Sequence, residues 1–302
     1  MTPFRLGTRG SPLALTQARM VADALIAAHG WSPAQIETVV IRTTGDRVQD
    51  RPLAEIGGKA LWTRELDRAL LAGEIDACVH SMKDVETVRP ASLLIAATLP
   101  RADVRDRLIG AESINAIPRG ATVGTSSPRR RAQLLRLRPD LRIVSIRGNV
   151  DTRLAKLAAG EVDATMLAAA GLDRLGRPEV GTAISTDIML PAPAQGAVGI
   201  EVRAEDARAI AIVTAIDHPD THRCVLVERA LLAALGADCR SPVAALASLA
   251  GTTLHLRASL IAENGEEEVN GVAGGTGPEL GAALATDLLA RASPAIRRLF
   301  AA

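Results

Sequence analysis

Ionisable residues stand where short apolar runs end. The run Ile75-Asp76-Ala77-Cys78-Val79 leads directly into His80-Ser81-Met82-Lys83-Asp84. In open α/β sheets, ligands bind beyond the carboxyl ends of strands, so Asp84 is the first candidate for catalysis. A carboxylate placed there can stabilise a developing positive charge and direct a proton. His80 could act as a base, although a lone histidine after a strand is more often a hydrogen-bonded structural residue. Arg9 and Ser11 repeat the arrangement after an earlier apolar run, at a strand end and beside a helix start, which suits an anionic ligand. Read alone, a plain helix cap and a surface arginine are the better account of them.

Arginine is the second signal. Between Arg129 and Arg153 stand eight arginines and only two aspartates, Asp140 and Asp151. A solvated basic face accounts for Arg136, Arg138 and Arg142. It accounts poorly for Arg129, Arg130, Arg147 and Arg153, each close to a Gly, Ser or Asn turn at a strand–helix junction. A planar guanidinium pairs bidentately with carboxylate or phosphate, so a polyanionic small molecule is indicated. Among the three cysteines, Cys239 lies in the loop Gly236 to Pro242 beside Arg240, which can favour a thiolate; read alone, an inert and a reactive cysteine fit equally well. Cys78 falls in a buried strand and Cys224 in a helix, where cysteine acts as a small hydrophobe.

Composition sets limits on partners. The chain has 302 residues, 48% hydrophobic and 23% charged, with a net charge of +1. No global field points to nucleic acid or an anionic membrane, and the length suits two or three domains. With two Phe, two Trp and no Tyr, base stacking is a poor basis for binding RNA or single-stranded DNA. An odd cysteine count without Cys-x-x-Cys spacing supports neither a disulfide framework nor a zinc cluster. No segment reads as a signal peptide or membrane span, so a reducing, cytoplasmic setting is expected.

These residues need elements to hold them. Phe4 to Gly7 reads as a strand. Ser11 and Pro12 open a helix over Leu13 to Ala28. Ile36 to Arg42 is a second strand, and a polar loop runs from Thr43 to Pro52. Trp62, Leu66, Ala69 and Leu70 recur at helical spacing up to Gly73, and Ile75 to Val79 is a short buried strand. Leu93 to Ala97 is a strand, and the charged stretch Pro100 to Arg107 reads as a hinge. A second series follows: strands at Thr122–Gly124, Ile143–Ile146 and Asp163–Leu167 alternate with helices at Arg129–Leu137, Asp151–Ala159 and Ala168–Leu175. Such alternation predicts a parallel sheet covered on both faces. After a proline-rich crossing at Pro191 to Ala194 come a strand to Glu201 and helices over Asp206–Ala215 and His218–Leu235. Strands near Val243–Ala250, Thr253–Ile261 and Glu268–Val272, then a helix over Glu279–Ala292, predict a small α+β unit.

Eight stretches occur together and in order. They are TRGSPLAL from Thr8, GGKALWTREL from Gly57, VHSMKD from Val79, GTSSPRR from Gly124, IRGNVDTRL from Ile146, AGLDRLG from Ala170, QGAVGIE from Gln195, and the cysteine at 239. The sequence resembles the porphobilinogen deaminase (hydroxymethylbilane synthase) family over nearly its whole length. That resemblance implies an α/β fold of two lobes like those of periplasmic binding proteins, plus a small C-terminal α+β domain. The implied divisions are 1–98 with 194–215, 99–193, and 216–302. It implies a dipyrromethane cofactor made from the enzyme's own substrate and held by a thioether to Cys239. Four porphobilinogen units are then joined with loss of ammonia, and the linear tetrapyrrole is released by hydrolysis. By resemblance, Asp84 is the catalytic carboxylate, kept ionised by surrounding cations and acting on the electron-poor azafulvenium left when ammonia departs. The acetate and propionate arms of the pyrroles are ligands for Arg9, Arg129, Arg130, Arg147 and Arg153, helped by Ser11, Lys83, Ser126 and Ser127, and Arg174 meets incoming substrate. Lys59, Trp62, Thr125 and Gln195 are further candidates. No metal, nucleic acid or membrane is implied. A monomer that hands its product to the next tetrapyrrole enzyme is the family expectation.

Some positions depart from the family pattern. Asp238 replaces a glycine beside the cysteine and raises the thiol pKa unless Arg240 compensates. Glu55 replaces a basic residue and Asp151 a small one, and both are expected to point outward. The main competing reading is a two-lobed solute-binding or sensor protein holding a carboxylate ligand, which gives Asp84 and Cys239 no special role. A nucleic-acid binder using the arginine stretch would show strongly salt-dependent affinity.

Overall fold

Local sequence rules set most element ends. The computed structural model describes residues 2–43 and 63–300. Strand β1 (Phe4–Arg9) leads into helix Pro12–His29. Ser11 caps that helix by accepting from the Ala14 N–H, Pro12 occupies the first turn, and Gly30 closes it at φ 62°. After β2 (Ile36–Ile41), helix Arg64–Leu71 buries Leu66, Ala69 and Leu70. Then come β3 (Ala77–Ser81), a single turn at Met82–Asp84, and β4 (Leu93–Thr98). The next series holds β5 (Asp106–Ile109), β6 (Thr122–Gly124), β7 (Arg142–Val144), β8 (Ala164–Ala168) and β9 (Thr182–Ala183). Its helices are Pro128–Leu137, Val150–Ala158 and Ala169–Arg174. Strand β10 (Val198–Arg203) precedes helices Ala207–Thr214 and Pro219–Ala234. The chain ends with β11 (Val243–Ala250), β12 (Thr253–Ile261), β13 (Glu268–Gly275) and helices Glu279–Arg291 and Pro294–Arg297.

The strands form three sheets, ordered β2-β1-β3-β10-β4, β7-β6-β8-β5-β9 and β11-β12-β13. Contacts divide the chain into two compact bodies, residues 1–102 with 197–222, and residues 103–196 with 223–302. The first body packs Phe4, Leu6, Val21 and Leu25 against Val198, Ile200 and Val202. In the second, Leu108, Val123, Leu134 and Met166 form one core. A separate core joins the three-stranded sheet to Leu284 and Leu288. The architecture is α/β in two sheet-containing lobes, with a small C-terminal sheet domain. Among the described residues, no helix is long and apolar enough to cross a membrane.

Four readings change. The two five-stranded sheets are mixed, not parallel: β10 runs antiparallel to both β3 and β4, and β5 antiparallel to β8 and β9. The hinge reading of Pro100 to Arg107 holds only in part, because Asp106 and Arg107 are buried and begin β5. The strand read at Ile75–Val79 starts at Ala77, since the Asp76 carboxylate turns to accept from the Arg5 N–H and guanidinium. The strand read to Ile146 ends at Val144, where the Ile146 carbonyl instead accepts from the Ser126 hydroxyl. Lys59, Trp62 and Glu55, with the loop Thr43 to Pro52 beyond Thr43 itself, lie outside the described residues.

Candidate active site

In the first body, two adjacent parallel strands, β1 and β3, deliver their last residues side by side. β1 ends at Arg9, and the following cap places Ser11 at the helix N-terminus. β3 ends at Ser81, and the next turn carries Lys83 and Asp84. The two ends are tied together, because Gln17 on the helix donates to the Ser81 hydroxyl at 2.8 Å. A pocket opens there, lined by Arg9, Ser11, Gln17, His80, Ser81 and Asp84. It therefore holds a guanidinium, a helix N-terminus and a carboxylate, the groups needed to seat an anionic ligand and to steady a cationic centre on it. Met82 fixes the turn that bears Asp84. It is 1% exposed, and it fills the space that a side chain at Gly199 on β10 would take.

Beneath the pocket lies a network that sequence reasoning missed. Glu201, fully buried on β10, accepts from Arg89 at Nε and Nη2, both at 2.8 Å, and sits 3.3 Å from His80 Nε2. Arg89 also reaches Asp67 at 2.5 Å and Glu86 at 2.7 Å. Burial by itself would raise the Glu201 carboxyl, but the bonds from His80 and Arg89 prevail and bring it down to about 2. Burial raises the Asp67 carboxyl, against the pull of Arg89. It also pushes the Cys78 thiol well up, so this cysteine is an inert part of the core. The missed signal was a glutamate inside the apolar strand Val198–Arg203, since a buried carboxylate requires a cation.

In the second body, β6 and β7 are parallel neighbours, and their following loops carry the arginine motifs. Thr125 is buried and accepts from the Ser127 N–H, and Ser127 caps helix Pro128–Leu137. Ser126 joins the two loops through Ser145 and the Ile146 carbonyl. Arg147 is half-buried on the second loop, and Arg153 donates to the Gly148 carbonyl at 3.0 Å. Gly148 adopts φ 113°, a conformation that favours glycine. Arg174 donates to the Gly196 carbonyl at 2.7 Å, and burial lowers its pKa.

Arg129 and Arg130 turn inward. Both pair at 2.7 Å with Asp106, which Gln195 also contacts at 2.9 Å. The two arginines hold the Asp106 carboxyl far below the ordinary range, against the opposing effect of burial. Within a charged stretch, Asp106 looked like hinge; the following Leu108 and Ile109 were the only sign of a strand. Arg138, read as solvated, reaches the carbonyls of Ile114 and Ile117.

Cys239 is exposed, whereas Cys78 and Cys224 are buried. Its neighbour Asp238 is paired with Arg240 at 2.7 Å, so the extra negative charge beside the thiol is offset. Asp151 is exposed and bridges Arg177 at 2.6 Å. Among the described residues, no group of three or more His, Cys, Asp or Glu could hold a metal ion.

Comparison with known proteins covers almost the whole chain. Residues 4–211 match the family described as porphobilinogen deaminase, dipyromethane cofactor binding domain, and residues 222–290 match porphobilinogen deaminase, C-terminal domain. The porphobilinogen deaminase of Sphingopyxis alaskensis is 60% identical, over 99% of this chain and 97% of its own. That of Paracoccus denitrificans is 52% identical, over 95% and 92%. Among solved structures, the second substrate binding domain of a putative amino acid ABC transporter from Streptococcus pneumoniae aligns at 15% identity and a TM-score of 0.43. The alignment covers 78% of this chain and 95% of that one.

Proposed function

The chain belongs to the porphobilinogen deaminase family, and from that premise we propose that it joins four porphobilinogen molecules head to tail into hydroxymethylbilane. At each addition the aminomethyl C–N bond breaks and ammonia leaves with its electron pair. A carbon–carbon bond forms to the chain terminus, and the pyrrole carbon gives up its proton. The observation that supports this reading is a pocket lined by Arg9, Ser11 and Asp84 at the ends of β1 and β3.

The chain's own residues divide the work. Asp84 accepts a hydrogen bond from the pyrrole N–H and stabilises the cation left by departing ammonia. Arg9, with Ser11 and Lys83, takes carboxylate arms in the first body. Arg147 and Arg153, with Ser126 and Ser127, do so in the second, and Arg174 meets incoming substrate. Cys239 would hold the dipyrromethane group through a thioether, and the bound group would supply the nucleophilic pyrrole carbon. The donor set fits such a group: the buried Nε–H groups of Arg129, Arg130 and Arg174 have no acceptor among the described residues, and a polycarboxylate provides acceptors. We assign residues 1–98 with 194–215, 99–193 and 216–302 as its three domains, and read the enzyme as a cytoplasmic monomer that passes its product to the next tetrapyrrole enzyme.

The test is the denatured intact mass of the purified protein beside Cys239→Ser. An excess equal to two linked pyrrole units in the wild type, absent in the variant, is expected. A wild type without that excess, before and after addition of porphobilinogen, would remove the reading.

A further inference from the structure

We propose that Asp106 is a positioning residue, which sets the Arg129 and Arg130 guanidiniums to receive a ligand carboxylate. The inference rests on the tetrapyrrole-building reading, in which the ligand is a polycarboxylate. Asp106 Oδ1 accepts from Arg130 Nη2 at 2.7 Å and from Gln195 Nε2 at 2.9 Å, and Oδ2 accepts from Arg129 Nη2 at 2.7 Å. The far arms are also engaged, Arg129 Nη1 by the Leu190 carbonyl at 2.7 Å and Arg130 Nη1 by the Met166 carbonyl at 2.9 Å. Each guanidinium is thus held at two of its three nitrogens, which fixes its plane. The third, Nε–H, is buried in both and has no acceptor among the described residues.

Charge agrees with geometry. One carboxylate between two guanidiniums leaves the cluster with an unbalanced positive charge, which is costly out of water. A ligand carboxylate would balance it and supply the missing acceptor. Asp106 does not compete for that role. Both its oxygens are already taken by the two arginines and Gln195, and its backbone is locked into β5 opposite Ala168 on β8. The aspartate therefore belongs to the frame, and the arginines are what the frame presents.

Full-length D106N and D106E decide this. The folded fraction of each is isolated by gel filtration and circular dichroism. Its gain of the two-pyrrole mass excess on addition of porphobilinogen is then followed below the melting temperature. The amide in D106N accepts from one guanidinium and repels the other, so filling is expected to slow at least tenfold. D106E, which keeps the charge one methylene further out, is expected to recover part of the rate. A support for the fold alone would change the melting temperature and leave filling of the folded fraction untouched. Filling of either variant at the wild-type rate or faster would overturn the proposal, and so would failure of both to fold. A wild type that shows no two-pyrrole excess either before or after addition of porphobilinogen removes the underlying reading instead, so the two failures are distinguishable.

Discussion

Replacing Glu201 by glutamine probes the buried network under the pocket with little change of shape. The carboxyl moves from an ordinary 4.5 to about 2 in the folded protein. At about 1.4 kcal/mol for each tenfold change, that displacement is worth about 3 kcal/mol. Leaving a buried charge with no counter-ion costs about 3–5 kcal/mol; here Arg89 keeps Asp67 and Glu86, so the loss falls at the lower end of that range. A loss of about 3 kcal/mol corresponds to a melting temperature lower by roughly 6–12 °C. The sign with pH follows from the depressed pKa: the Glu201 contribution is complete above about pH 4.5 and is lost as pH falls toward about 2. Asp67, raised by burial, works in the opposite sense, since its neutral form is favoured by folding. Urea unfolding followed by tryptophan fluorescence reads the relevant body through Trp31. Trp31 packs against Phe4 at 6.2 Å between ring centroids. The wild type should lose stability more steeply than the variant between pH 4.5 and 2. A variant within about 0.5 kcal/mol of wild type, the ordinary range for inert surface changes, would refute the reasoning, as would an unchanged pH profile.

Two further outcomes concern the chemistry. Asp84→Asn should keep the fold and the two-pyrrole mass excess yet lose about 10²–10³ in turnover of porphobilinogen, the usual effect of removing one transition-state partner; near-normal turnover would remove Asp84 from the mechanism. Arg147→Glu should slow chain growth by about 10–100-fold, the worth of one hydrogen bond to a charged group, with the unfolding midpoint unchanged. Intact masses taken during turnover would show stalled short chains, and an unaffected rate would contradict a carboxylate role for Arg147.

Legibility followed the range of the forces involved. Ser11 and Pro12 mark a helix start through contacts within a turn, and the structure places both helix ends within a residue of the Leu13 to Ala28 reading. β11 and β12 were readable to the residue, because each is a complete run bounded by turn residues. Strand direction was not readable, since nothing in Val198–Arg203 encodes that its neighbours are β3 and β4. Partners of buried charges were hidden for the same reason: Glu201 meets Arg89 across 112 positions, and Asp106 meets Arg129 across 23. Asp84, Arg9 and Ser11 stood out because strand ends and helix starts are local features. The inward turn of Arg129 and Arg130 depended on an aspartate that looked like solvent-facing linker.

The place of β10 bears on how the molecule is made. The first sheet has its fourth strand, between β3 and β4, supplied by residues 198–203. During synthesis, β1 to β4 emerge long before that strand exists, and the whole series β5 to β9 is translated in between. A nascent chain stopped short of Val198 carries β3 and β4 with unpaired edges and Arg89 without Glu201. Such edges are open to pairing with other chains. The second sheet, continuous from β5 to β9, is free to form first as the chain leaves the ribosome. The N-terminal body therefore cannot be completed until the whole of the second sheet has been translated.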